Sequence, residues 1–170
     1  MKTKSSFKPL VLLLVVTVLA TGLFFGYKHI KREAIRDYHN EQIAVGQIKL
    51  WMSEKEVFDT IGTRPEEEMC VYGYEFNFEA LDINLGFRMD DHTLRRITVK
   101  NMTDSLYGIQ NGMPIGTAEK ILLAHGFNED TQKNRYHIDD VYFTLGSKKG
   151  ELVDFMIVEI IDDAILNYAQ

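Results

Sequence analysis

The stretch Ile109-Gln110-Asn111-Gly112-Met113-Pro114-Ile115-Gly116-Thr117-Ala118-Glu119-Lys120-Ile121-Leu122-Leu123-Ala124-His125-Gly126-Phe127 decides how this chain is read. Ala118, Ile121 and Leu122 recur at the spacing of one helical face. Thr117 stands as N-cap, and Gly126-Phe127 ends the segment as a glycine cap followed by a hydrophobic contact. The same pattern occurs 61 residues earlier, where Ile48 matches Ile109, Met52 matches Met113, Val57 matches Ala118 and Ile61 matches Leu122. In that copy Ser53 is the N-cap and Glu56 stands three residues on, which is a capping box. Val57, Phe58 and Ile61 form the apolar face, and Gly62 stops the helix.

Strand periodicity follows each helix. Tyr72, Tyr74, Phe76 and Phe78 alternate with polar or small residues, and so do Leu81, Ile83, Leu85 and Phe87, with a hairpin near Glu79-Ala80. Asp90-Asp91-His92 turns into a third strand at 94–100. After the second helix, 136–138 pairs across Asp139-Asp140 with 141–145, and Ser147-Lys148-Lys149-Gly150 turns into 152–161. That last strand is apolar on both faces, which suits a central position in a sheet. The expected domain, 48–170, is α+β: repeat one at 48–101 and repeat two at 109–161. Each repeat is a helix plus three antiparallel strands, the sheet carrying its helices on one face. A short helix is expected at 162–168.

Ahead of the domain, residues 9–27 carry no charge and lie between Lys8 and Lys28. Nineteen helical residues span about 29 Å, near the thickness of a bilayer's hydrocarbon core. With a basic tail at 1–8 and Lys28, Lys31 and Arg32 beyond, this reads as a transmembrane helix serving as an uncleaved signal anchor. A cleaved signal ending near Ala20 is the alternative. Residues 28–47 read as a helical stem. The expected localisation is the cell membrane, single-pass, with the C-terminal domain extracytoplasmic.

All 25 acidic residues lie at 33–170, with 13 of the 19 Lys and Arg, leaving that part at −12. Phosphates would be repelled, so nucleic acid is a poor partner. Cys70 is the single cysteine, so no intramolecular disulfide is possible and it has no second cysteine for zinc, and the residue reads as a small buried hydrophobe. Asn101-Met102-Thr103 matches a glycosylation sequon, a triplet common by chance. Asp90-Asp91-His92 and His137-Ile138-Asp139-Asp140 are the carboxylate–imidazole groupings, and each falls in a turn where Asp serves the backbone. His125 precedes a helix-ending glycine and suits the helix dipole. There is no phosphate loop and no serine-nucleophile motif. The reading therefore holds no catalytic residue, no cofactor and no metal ligand. The aromatic strand at 72–78 reads as core. Candidate interface residues are Trp51 and Met52 before the first helix, Met113 before the second, and Tyr136.

Two tandem helix-plus-sheet units, each introduced by an Ile…Gly-Met-Ser/Pro approach to a helix ending in Gly, resemble the beta-lactamase-inhibitor-protein-like superfamily. The small lipoprotein of the outer-membrane beta-barrel assembly machine belongs to the same group. The second copy, 109–127, carries the pattern, while the first has Trp51 where Gly is usual. The resemblance covers 48–161 and implies a binding or assembly-scaffold module without chemistry. The resulting expectation is a membrane-anchored, extracytoplasmic, protein-binding module of the cell envelope. A membrane-tethered sensory domain, or an enzyme built on the His/Asp groupings, is the alternative.

Overall fold

A computed structural model of the chain describes residues 7–70 and 73–161. The expected helix at 162–168, most of the basic tail and Tyr72 lie outside the described residues. The chain divides into two compact units, Met1–His39 and Asn40–Gln170.

Helix α1, Phe7–Glu41, is one unbroken helix of 35 residues. Among the described residues, no helix is long and apolar enough to cross a membrane. This overturns the transmembrane helix at 9–27 and with it the signal anchor, the single-pass topology and the cell-membrane localisation. The apolar run is broken by hydroxyls, Thr21 Oγ1 donating to the Thr17 carbonyl. From Lys28 onward every turn of the helix carries charge. The helix also stops before the expected end of the stem at 47, because Ile43–Ala44 leaves it as strand β1.

From residue 40 the protein is mostly β-sheet, which corrects the expected α+β class. The remaining strands are β2 (Glu67–Cys70), β3 (Gly73–Phe78), β4 (Ile83–Arg88), β5 (Leu94–Val99), β6 (Ser105–Leu106), β7 (Asn128–Glu129), β8 (Arg135–Ile138), β9 (Val141–Gly146) and β10 (Phe155–Ile160). Only two short α-helices accompany them, α2 (Glu54–Ile61) and α3 (Ile115–Ala124), with a 3-10 turn at Glu79–Leu81. Eight strands form one antiparallel sheet in the order β2-β3-β4-β5-β10-β9-β8-β7, and β1 pairs with β6 in a second. Each half thus carries four strands in the large sheet where three are expected. The extra strands, β2 and β7, have no apolar alternation. The ladders hold them, Glu68 opposite Glu75 and Asn128 opposite His137, and burial does not.

Two seams join the halves. The last strands of each, β5 and β10, run antiparallel with Thr98 opposite Ile157, Ile97 opposite Val158 and Val99 opposite Met156. The entry segments pair as Ile43 opposite Leu106 and Ala44 opposite Ser105.

The local signals for α2 act as read. The Glu56 carboxylate accepts the Ser53 N–H at 2.7 Å, and Ser53 Oγ accepts the Glu56 N–H at 3.3 Å. Helix α3 starts earlier than the Thr117 cap, with Pro114 as N-cap and no side-chain cap. Proline's missing N–H and fixed φ suit a helix start without one. At its end the Phe127 N–H donates to the Leu122 carbonyl at 3.1 Å, and the Phe127 ring is buried.

One core serves both halves. Tyr74, Phe76 and Phe78 of β3, Ile83, Leu85 and Phe87 of β4, and Met156, Val158 and Ile160 of β10 are all buried. They occupy alternate positions, so they line one face of the sheet. Val57 of α2 and Ala118 and Leu122 of α3 join that cluster, and Phe58 meets Phe76 edge-on at 4.9 Å. The opposite face of the sheet carries the other alternates.

Candidate functional site

Register alone lays out the other face, the open face, which carries neither α2 nor α3. One row crosses all eight strands: Glu68, Glu75, Gly86, Arg96, Glu159, Tyr142, His137 and Asn128. A second row beside it runs Asn77, Asn84, Thr98, Ile157, Thr144 and Arg135. At about 4.8 Å between strands the longer row spans roughly 34 Å.

The charges on this face are held in place. Arg96 donates to Glu75 at 3.0 Å, lying across Gly86, where an added Cβ would come within 3.2 Å of the Arg96 Cβ. In the other half the Phe155 ring lies across Gly146 in the same way. Arg135 sits 4.4 Å over the Tyr142 ring and donates to Glu159 at 3.4 Å. Its Nε is 3.5 Å from Asp130 but makes no aligned hydrogen bond. His137 stacks on Tyr142 with ring centroids 5.7 Å apart. Two buried polar atoms on this face, Asn84 Oδ1 and Arg135 Nε, have no hydrogen-bond partner. Burying such groups without a partner costs about 1–3 kcal/mol each.

A β-bulge shapes the centre. The pairing shifts between Gly86 and Phe87, so Arg95 is the extra residue opposite them. The Arg95 guanidinium turns back to Asp91 at 2.7 Å and to the Thr93 hydroxyl at 2.9 Å. A small pocket of ≈ 40 Å³ opens there among Cys70, Gly86, Arg88, Arg95 and Arg96. Four of the five arginines after residue 40 therefore stand on β4, β5 and β8, and the described open face carries no lysine.

The candidate interface residues read from the sequence lie elsewhere and apart, whereas His137, expected in a turn, stands on the open face in β8. The Trp51 N–H donates to the Leu94 carbonyl at 2.8 Å, and the Leu94 N–H donates to the Met52 carbonyl at 2.8 Å. Met113 holds the Val153 N–H in the same manner at 2.9 Å. All three side chains pack partly buried on the core. Tyr136 is buried on the inner face, where burial and the charges of Glu119 and Glu129 push its hydroxyl pKa up. Trp51 has φ 66 and Gly112, its counterpart in the other half, has φ 88, so both entry turns need a left-handed residue. The Asn101 amide donates to the Leu81 carbonyl and Asp104, and its Oδ1 accepts from the backbone of Thr103 and Asp104. The sequon is a loop staple.

One polar network escaped the sequence reading. The Tyr74 hydroxyl donates to Glu54 at 2.7 Å and lies 2.6 Å from His92 Nδ1, while Arg64 holds the other oxygen of Glu54 at 3.0 Å. Burial, then the bond to Glu54, raises the Tyr74 pKa well above the ordinary tyrosine value. The network ties α2 to β3 and to the β4–β5 turn. Among the described residues, no group of three or more His, Cys, Asp or Glu could hold a metal ion.

No protein-family model matches the chain, and no curated protein matches it. Among solved structures it is similar to an extracellular protein containing an SCP domain from Bacillus anthracis str. Ames, with TM-score 0.50 and 10% identity. The match covers 69% of this chain and 45% of that one, so the chain spans less than half the length of that protein. At this identity the likeness concerns the fold.

Proposed function

We propose that this protein is a non-catalytic protein-binding or assembly module that recognises its partner through the open face of the eight-stranded sheet. One observation carries the reading: both helices pack into the core on one face, and the other presents Arg135, Tyr142, His137, Phe155 and Ile157 half-buried and fixed in position. Tyr, Phe and Arg are the side chains that dominate binding energy at interfaces, and lysine is depleted there. Arg135, held over Tyr142 and paired with Glu159, carries a planar guanidinium of the kind that suits a carboxylate or a backbone carbonyl on the partner. The resemblance to beta-lactamase-inhibitor-like modules points to the same role.

The test is affinity purification of the tagged protein from its native cells beside an Arg135→Glu/Ile157→Asp variant. Arg135→Glu places a carboxylate beside Asp130 and Glu159 and lowers stability, so the comparison is made at a temperature where thermal unfolding shows both proteins fully folded. A partner retained by the parent and lost by the variant supports the reading. Equal retention by both contradicts it.

A further inference from the structure

Asn111-Gly112 is the one Asn-Gly pair in the sequence, and it stands in the turn that leads into α3. In an unfolded chain such a pair modifies itself. Hydroxide takes the Gly112 amide proton, and the nitrogen attacks Cγ of the Asn111 side chain. A C–N bond forms, Nδ2 leaves as ammonia, and a cyclic imide remains. Water then opens either carbonyl of the imide, giving aspartate or isoaspartate, and in the latter the main chain runs through Cβ and Cγ. Glycine eases the attack because it has no Cβ to obstruct its nitrogen and its backbone turns freely.

The fold holds both reacting groups. Gly112 N–H donates to the Val153 carbonyl at 2.7 Å, in the segment that leads into β10. The Asn111 side chain is 7% exposed, and its amide donates to the Val99 carbonyl at 3.2 Å and the Asn101 carbonyl at 2.7 Å. Closing the ring would break these three bonds and turn a buried side chain in a close-packed interior.

The same contacts reject the product. Asn111 serves this place as a donor only, its Oδ1 having no partner among the described residues. A carboxylate has no proton to donate, so aspartate here would set acceptor oxygens against two carbonyls and bury an unpaired charge. Isoaspartate would lengthen the main chain by a carbon just before two bonds that share one register. These run from Gly112 N–H to the Val153 carbonyl and from Val153 N–H to the Met113 carbonyl at 2.9 Å. At the repeat spacing the first half has Leu50 and Trp51 in these places, so the second half alone carries the reactive pair.

We infer that Asn111-Gly112 is a self-modification site, shut in the folded protein and open in the unfolded one, whose product the fold excludes. A molecule that stays unfolded is converted to a form that cannot return, while a folded one is spared. The change strikes a tie between the halves, because Asn111 joins the α3 entry turn to the end of β5. The site is separate from the open sheet face, so either assignment can fail alone.

The full chain is held at mildly alkaline pH in native buffer and, in parallel, in guanidinium chloride, and the peptide carrying residue 111 is followed by mass spectrometry. If conversion requires unfolding, native buffer should slow it by about 10³-fold or more, in proportion to the unfolded fraction. On dilution out of denaturant, the refolded fraction should hold Asn111 and the fraction that stays unfolded should hold the product. Asn111→Asp, made directly, reads the product without a refolding step: its Tm should fall by about 10 °C or more, or the chain should fail to fold. Conversion in native buffer within about tenfold of that in denaturant, or no conversion in denaturant, overturns the inference. So does a Tm for Asn111→Asp within about 3 °C of the parent, or product recovered in the refolded fraction in the proportion formed.

Discussion

Alanine at Gly73 should be far more damaging than alanine at Gly46, although both glycines hold a positive φ. Gly73 has φ 155 and pairs with Arg88 at the start of the β3–β4 ladder. A Cβ there runs into the carbonyl oxygen of Phe87 and lies 3.1 Å from its carbonyl carbon and 3.3 Å from the Arg88 Cα. These are backbone atoms, and the Phe87 ring is stacked on Tyr74 at 5.7 Å, so β4 cannot yield without disturbing the core. Left-handed strain costs about 1 kcal/mol at either site, and overpacking adds roughly 2 kcal/mol at Gly73. Around Gly46 the space is open, so only the strain applies. Urea unfolding should therefore report a loss of about 3 kcal/mol for Gly73→Ala and about 1 for Gly46→Ala, with Tm falling by roughly 10 °C and 4 °C. If the two losses agree within about 0.5 kcal/mol, β3 does not approach β4 as described and the reasoning fails.

Ser53→Ala removes the hydroxyl that caps α2 and should cost about 1 kcal/mol in the same assay, whereas Thr117→Ala, inside the first turn of α3 and not capping it, should cost much less. Tyr74→Phe breaks the link to Glu54 and His92 and should cost about 1 kcal/mol at neutral pH. Because the folded pKa of Tyr74 is raised above 10, its contribution is complete below pH 10 and declines as pH climbs toward the folded value; the phenylalanine variant should flatten that alkaline limb of stability. For Asp91 burial alone would raise the pKa, but the Thr93 hydroxyl, Arg95 and the Thr93 N–H together hold it below the ordinary 3.8. Its contribution is present above pH 3.8 and fades as pH falls through the lowered value, so Asp91→Asn should flatten the acid limb measured by unfolding at pH 2–5.

What was legible in the sequence was local. The Ser53/Glu56 box, the Gly62 stop, the alternation of Tyr74, Phe76 and Phe78, and the double-sided apolar run of β10 each announce themselves within a few residues, and β10 indeed lies between β5 and β9. Strands β2 and β7 were hidden because their residues are held by a neighbour's hydrogen bonds and not by burial. The nineteen uncharged residues at 9–27 were read as a span from length and composition, and the structure corrects that reading. The open face was invisible for another reason. Glu75 and Arg96, or Arg135 and Glu159, meet only once the register across several strands is known. Tyr136 looked like surface because a tyrosine in a short strand can face either way, and register places it inward.

Site-directed photocrosslinking in the native cells tests the central claim most directly. A benzoylphenylalanine at Tyr142 or Thr144 sits on the open face, while one at Lys120 sits on the exposed side of α3. Binding through the open face predicts one discrete adduct, the same protein by mass spectrometry, from 142 and 144 and none from 120. An adduct from position 120 with nothing from 142 or 144 would contradict it.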